Sequence, residues 1–146
     1  MKRLIFTFIM SLSVLFELFL LPGCGAPKTK TFKVTGKITI DGQPIEQGAI
    51  KFMAVDGATP VGGGSIKNGT YFAEVPPGQK KVLVNGQKVV GTEPLYKDMP
   101  DSPTRDKLDR TTPLIYNNQE ATPLTADIKG ETKDLDFDLD SKIKSL

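Results

Sequence analysis

The chain contains no histidine and no tryptophan, and its single cysteine is Cys24. Without histidine there is no Ser-His-Asp or Cys-His nucleophilic scheme, and the usual zinc sites lose their commonest ligand. A lone cysteine cannot close a disulfide within the chain, so the fold must rest on its apolar core. Charge of one sign is also lacking. Nineteen basic residues face 17 acidic ones, whereas nucleic-acid binding calls for a clustered basic excess. Gly62-Gly63-Gly64 is not a phosphate loop, because the lysine, the Ser/Thr and the helix that complete one do not follow. The triplet predicts a flexible loop or a bulge, and Val61 to Ile66 is at best a weak edge strand. No motif calls for a cofactor or a metal.

The N-terminal end is the least ordinary part. Lys2 and Arg3 precede an apolar run from Leu4 to Leu21, about 27 Å long as a helix, which stops at Pro22-Gly23. A positive start, an apolar middle and a small residue before a cut form the layout of a secretory signal over residues 1–23. Leu21-Pro22-Gly23-Cys24 resembles the lipobox of bacterial lipoproteins. That resemblance implies cleavage between Gly23 and Cys24, a diacylglycerol on the Cys24 sulfur, and acylation of the new amine by a palmitate-type chain. Each buried methylene contributes roughly 0.8 kcal/mol and one chain holds only marginally, so two or three chains anchor firmly. The alternatives are an uncleaved membrane helix and an ordinary secretory signal. Against the first, the run is barely long enough to span, and Glu17 inside it is costly at the bilayer centre. Gly25 after the cysteine resembles the pattern for transfer to an outer membrane, which places the chain in the cell envelope, facing the periplasm or the surface.

Residues 24–30 then read as the lipidated cysteine and a polar tether, and residues 31–140 as one domain. Alternation replaces continuous apolarity. Phe32, Val34, Ile38 and Ile40 share one face of a strand, with Lys33, Thr35, Lys37 and Thr39 opposite. Gly36 interrupts that face and predicts a bulge or a close backbone approach. Asp41-Gly42 is a strong turn signal. Ile50, Phe52 and Ala54 continue inward with Lys51 opposite, and Lys67-Asn68-Gly69 turns the chain again. Tyr71, Ala73 and Val75 point inward up to the stop at Pro76-Pro77-Gly78. That leaves Phe72 facing the other way, under a loop or into a contact surface. Val82 and Val84 resume the core face, and Asn85-Gly86 permits either a two-residue hairpin or one long strand with a glycine bulge.

Periodicity is lost from Gly91 to Pro113, a stretch of prolines and mixed charge. Residues 91–113 are expected to form a long loop, either floppy or a partner surface, with a helical turn beginning at Ser102 and Pro103. Order returns with Leu124, Ala126 and Ile128 on one face, a turn at Lys129-Gly130-Glu131, and Leu135, Phe137 and Leu139 alternating inward. Residues 141–146 are a polar tail. This pattern predicts an all-β antiparallel sandwich of about seven strands (six to eight), preceded by the hydrophobic signal helix.

Val34-Thr35-Gly36-Lys37-Ile38-Thr39-Ile40-Asp41-Gly42-Gln43-Pro44-Ile45 resembles the first hairpin of carboxypeptidase regulatory-like domains, which have a transthyretin-like sandwich. Asn68-Gly69-Thr70-Tyr71, Val75-Pro76-Pro77-Gly78 and Val82-Leu83-Val84 resemble that family's central strand pair. There the strand runs on past the glycine, which favours the long-strand reading of Asn85-Gly86. Tyr116-Asn117, Leu124 and Leu135-Asp136-Phe137-Asp138-Leu139 are similar to the ends of small bacterial lipoproteins built on this domain. The resemblance covers roughly residues 32 to 140 and implies a fold and a surface location, not an activity.

Asp134, Asp136, Asp138 and Asp140 sit at every second position, nearly 7 Å apart along a strand. That spacing is too open for one calcium ion and predicts a solvated acidic face, opposite the lysines at 33, 37 or 129. A carboxylate-pair hydrolase is the distant alternative. Tyr96 and Tyr116, with Phe72, are the aromatics available to anchor a protein or stack on a sugar, although Tyr116 just before a strand also suits a core cap. The candidate partner surface is Tyr96, Arg105, Arg110 and Tyr116. The expected role is a noncatalytic binding or scaffold module for envelope or secreted proteins, with recognition of envelope carbohydrate as the alternative.

Overall fold

A computed structural model describes residues 29–143. The signal segment, the lipobox-like motif with Gly23 and Cys24, and most of the tether lie outside the described residues. Among the described residues no helix is long and apolar enough to cross a membrane.

The described chain is all-β, as the alternation predicts. The strands are β1 (Phe32–Ile40), β2 (Gln43–Pro44), β3 (Gln47–Ala54), β4 (Gly62–Lys67), β5 (Thr70–Val75), β6 (Gly78–Pro94), β7 (Thr104–Arg110), β8 (Thr125–Ile128) and β9 (Phe137–Leu139). One 3₁₀ turn, Leu114–Asn117, separates β7 from β8. The main path across the sheet is β2-β1-β5-β4-β3-β6-β7, with β8 added to β6 and β9 to β1. The sheet curls on itself, and the inward residues of β1, β3, β4, β5, β6, β8 and β9 meet in one core. Val34, Ile38, Ile50, Phe52, Ala73, Val75, Val82 and Val84 are all fully shielded from solvent. Burying a side chain such as Phe52 stabilises by roughly 1.5–3 kcal/mol. Phe52, Tyr71 and Phe137 stack through the centre, with ring centroids 6.2 and 6.3 Å apart.

Both short turns have the twist that a two-residue hairpin needs. Asp41 and Gly42, and Asn68 and Gly69, all have positive φ, and each pair joins antiparallel strands. Gly36 marks a close approach, since a Cβ there would run into the Leu135 carbonyl.

Three expectations need correction. Gly62-Gly63-Gly64 is neither a loop nor an edge. It lies in β4, between β3 and β5 in the interior of the sheet. Glycine is required because the neighbouring backbones crowd it: a Cβ on Gly64 would collide with the Phe72 carbonyl. Residues 91–113 are not a long loop, because β6 continues to Pro94 and β7 returns alongside it. The last strand departs from an antiparallel arrangement. β9 runs parallel to β1, pairing Ile38 with Phe137 and Ile40 with Leu139.

Asn85-Gly86 does not turn. β3 pairs with β6 from Lys80 through Gln87, so a hairpin there would break that ladder. Gly86 also faces inward, where a Cβ would lie 2.8 Å from both Ile45 Cγ2 and Thr112 Cγ2. The bulge falls further on, where the register slips between Val89 and Gly91 and leaves Val90 unpaired. Two buried threonines bridge the gap along β6 between β8 and β7. Thr122 Oγ1 donates to the Val82 carbonyl at 2.8 Å, and Thr112 Oγ1 accepts from the Gly86 N–H at 3.0 Å. Backbone groups that no strand reaches are satisfied in this way.

Candidate interaction surface

β6 has two halves with different surroundings. Up to Gln87 it is enclosed by β3, β8 and the threonines. From Lys88 onward only β7 accompanies it, and the pair forms an arm whose β7 side chains are all exposed. The registers give the arm a direction. Phe32 pairs with Val75, Gly62 with Phe52 and Phe52 with Val82, so the chain enters the sheet at the rim where β6 begins. The arm leaves the opposite rim and, from Gln87 to Pro94, extends roughly 20 Å past it at the usual strand rise.

The arm has a closed tip. The Leu95 N–H donates to the Pro103 carbonyl at 2.7 Å and the Tyr96 N–H to Ser102 Oγ at 2.8 Å. Ser102 thus ties a turn instead of capping a helix, and the helical turn expected there does not form. Arg105 Nε donates to Glu93 Oε1 across the strands at 2.8 Å. Val89, Val90, Leu95, Tyr96, Met99 and Leu108 are each about half exposed, so apolar surface sits at the tip and mid-arm among balanced charges.

The sequence-predicted residues separate accordingly. Tyr96 is at the tip, Arg105 is on β7 against Glu93, and Arg110 is at the base opposite Gln87. Tyr116 does not join them. It is 3% exposed, and its hydroxyl accepts from the Asp140 N–H at 2.9 Å. The 3₁₀ turn points its ring into the core, so it is a core cap and not a surface aromatic. Phe72 faces outward, half exposed, on a different part of the sheet.

The acidic face is exposed, but its carboxylates find backbone and hydroxyl donors where lysines were expected. Asp136 Oδ1 accepts from the Lys37 N–H at 2.6 Å, and Asp138 Oδ1 accepts from Thr39 Oγ1 at 2.6 Å. Lys129 pairs instead with Asp127 at 3.0 Å. Asp41 Oδ1 accepts from the Ser141 N–H at 3.0 Å, and hydrogen bonding by Ser141 holds the Asp41 carboxyl below its ordinary value. The aspartates thus clasp β9 and the following turn to β1. Beneath them, the Tyr71 hydroxyl donates to the Leu135 carbonyl at 2.6 Å. Burial, with the Asp136 charge adding, pushes that phenol well above its usual range.

Two concavities were not foreseen. One, of about 360 Å³, is lined by Gln47, Ala49, Ser65, Lys67, Asn85 and Gln87 on the outer face of the sheet. Gln47 Nε2 and Asn85 Oδ1 are buried there without partners. The other, of about 310 Å³, includes Lys80. Lys80 is 1% exposed, and its ammonium donates to Thr59 Oγ1 at 2.5 Å. Its parity with Val82 and Val84 was the available signal, but a lysine in the Lys80-Lys81 pair reads as solvated.

No protein-family model matches the chain, and no curated protein matches it. Among solved structures, the 9R-lipoxygenase from Cyanothece PCC8801 matches at 13% identity with a TM-score of 0.38, over 75% of this chain and 16% of that one. The chain therefore spans less than a fifth of that enzyme's length, and a likeness this distant carries no functional argument.

Proposed function

We propose that the protein is a lipid-anchored envelope module, noncatalytic, which presents the β6–β7 arm to envelope or secreted proteins. The carrying observation is the arm's geometry: half-exposed apolar side chains at the rim opposite the chain's entry. A body tethered through Cys24 holds such an arm away from its own membrane, where a second protein meets it. The lipobox-like Leu21-Pro22-Gly23-Cys24 supports the anchor, and Gly25 supports an outer-membrane address. The likeness of residues 32 to 140 to carboxypeptidase regulatory-like domains supports the fold and a surface location.

The test has two parts. Mass spectrometry of the mature chain should find Cys24 at its N-terminus carrying fatty acid; an unacylated chain, or one starting elsewhere, sinks the anchor. Crosslinking in intact cells should capture envelope proteins, and replacing residues 91–110 with a short turn should abolish the capture. Unchanged capture by the armless chain sinks the partner surface.

Carbohydrate recognition is the second reading. Burial of Tyr116 removes one of its expected stacking platforms. What favours it is the outer-face concavity, where an unpaired amide donor on Gln47 and an unpaired acceptor on Asn85 lie near Ser65 and Gln87. Retention on cell-wall polysaccharide that is lost in Asn85→Leu with the arm intact would establish it over the first.

A further inference from the structure

The outer edge of β7 ends the main path of the sheet, and no strand among the described residues pairs with it. Its backbone phase can be read from the two ends. The Leu95 N–H donates to the Pro103 carbonyl at 2.7 Å, and the Thr111 N–H donates to the Gly86 carbonyl at 3.0 Å. Positions 103 and 111 therefore turn toward β6, and on a strand with period two so do 105, 107 and 109. Thr104, Asp106, Leu108 and Arg110 present their N–H and C=O groups to the open edge. Such a row is a template for another strand.

We infer that this edge takes a second copy of the same chain, β7 against β7, antiparallel about a two-fold axis through Leu108. The argument is charge complementarity under a constraint. An antiparallel ladder bonds outward residues only to outward residues, so the strand can meet itself in just a few registers. Centred on Asp106, the pairing sets Asp106 against Asp106 and Arg105 against Lys107. Centred on Lys107, it sets Lys107 against Lys107. Centred on Leu108, it sets Asp106 against Arg110 and Lys107 against Asp109, each twice, with Leu108 against Leu108 and no like charges opposed. Every outward backbone group from Asp106 to Arg110 then has a partner. Val89 lies beside Leu108 in the β6–β7 ladder, and both are nearly half exposed. The pairing joins them into one apolar stripe across four strands, Val89–Leu108–Leu108–Val89.

The mixed charge of β7 would otherwise read as protection of an edge against pairing. A protective edge carries one sign, which repels a copy of itself. This one carries both signs and is complementary to itself about Leu108. The inference goes beyond the proposed function and holds whether or not Cys24 is lipidated.

The test uses the full-length chain in cells. In the proposed register Leu108 faces its own copy at a Cα separation of about 5.5 Å, within reach of a disulfide. Oxidising cells that carry Leu108→Cys should give a reducible dimer well above that of the parent chain, whose sole cysteine is Cys24. Lys107→Cys, two residues out of register with itself, should crosslink less. Equal yields for Leu108→Cys and parent overturn the pairing, and a higher yield for Lys107→Cys overturns the register. Charge reversal gives the independent arm. Arg110→Asp sets carboxylates against Asp106 twice and should lower the Leu108→Cys dimer by roughly tenfold or more. Adding Asp106→Arg should restore it, and failure of the double reversal to recover overturns the proposal.

Discussion

The body and the arm share a strand. From Lys80 to Gly86, β6 alternates with Lys80, Val82, Val84 and Gly86 facing inward and almost no solvent reaching them. From Lys88 to Pro94 the same backbone ladder continues and nearly every side chain is wet. Hydrogen bonds are therefore not what distinguishes the two regions. What differs is whether a second layer of side chains covers the strand, because hydrogen bonds with water compete with those of an isolated ladder and a two-stranded ribbon is marginal by itself. The body supplies the stability, and the arm is carried by continuity with it.

The sharpest way to break this contrast is to truncate one apolar side chain in each region. Phe52→Ala in the body should cost about 3–5 kcal/mol of unfolding free energy, measured by denaturant melting. Leu108→Ala in the arm should change it by no more than about 0.5 kcal/mol. Comparable losses would show the arm to be part of the core. Native-state hydrogen exchange would sharpen the same point: amides of β3 and of β6 before Gln87 should open only with global unfolding, whereas those of β7 should exchange by local opening.

A smaller effect is expected at the clasp. Tyr71→Phe removes the hydroxyl that meets the Leu135 carbonyl at 2.6 Å and should cost about 1 kcal/mol, since the partly buried carbonyl loses its donor. Titration should show the same site. The Tyr71 phenol is raised in the folded chain, so its contribution is complete below the unfolded value and is lost as pH rises through and above about 10. Absorbance at alkaline pH should then show the Tyr71 phenol ionising only as the chain unfolds.

Smaller again is Arg105→Ala, which removes the arm's ion pair with Glu93 at 2.7 Å. An exposed pair is worth about 0.2–1 kcal/mol, so melting of the body should barely move, while exchange at the arm tip quickens. The smallest effect belongs to Asp41. Its carboxyl is depressed by Ser141, so its contribution is present above the ordinary value and lost as pH falls through the folded one. Asp41→Asn should leave melting near neutral pH little changed and weaken the acid sensitivity below about pH 4.

Much of the body was legible in order. The inward sets Val34/Ile38, Ile50/Phe52/Ala54, Tyr71/Ala73/Val75 and Phe137/Leu139 were readable because a half-buried strand has a period of two and the apolar residues obey it. The turns at Asp41-Gly42 and Asn68-Gly69 were readable because few residue pairs accept positive φ. The glycine triplet misled because a residue without a side chain has no periodicity. Gly64 reads as a loop until the Phe72 carbonyl is seen filling the place of its Cβ. The arm misled for the opposite reason. A ladder exposed on both faces has no apolar side to alternate with, so Thr104 to Arg110 looks structureless, and only the pairing with β6 makes it a strand.

By itself, then, the amino-acid sequence determined the class of fold, the inward residues, the tight turns and the absence of histidine-based chemistry, because each depends on local spacing or on composition. Tertiary structure decided which strand lies beside which. It made β4 central, sent β9 parallel to β1, buried Tyr116 and Lys80, and aimed the arm away from the chain's entry. Those outcomes depend on contacts between residues far apart in the chain, and such contacts follow from how the sheet closes on its core rather than from any local pattern.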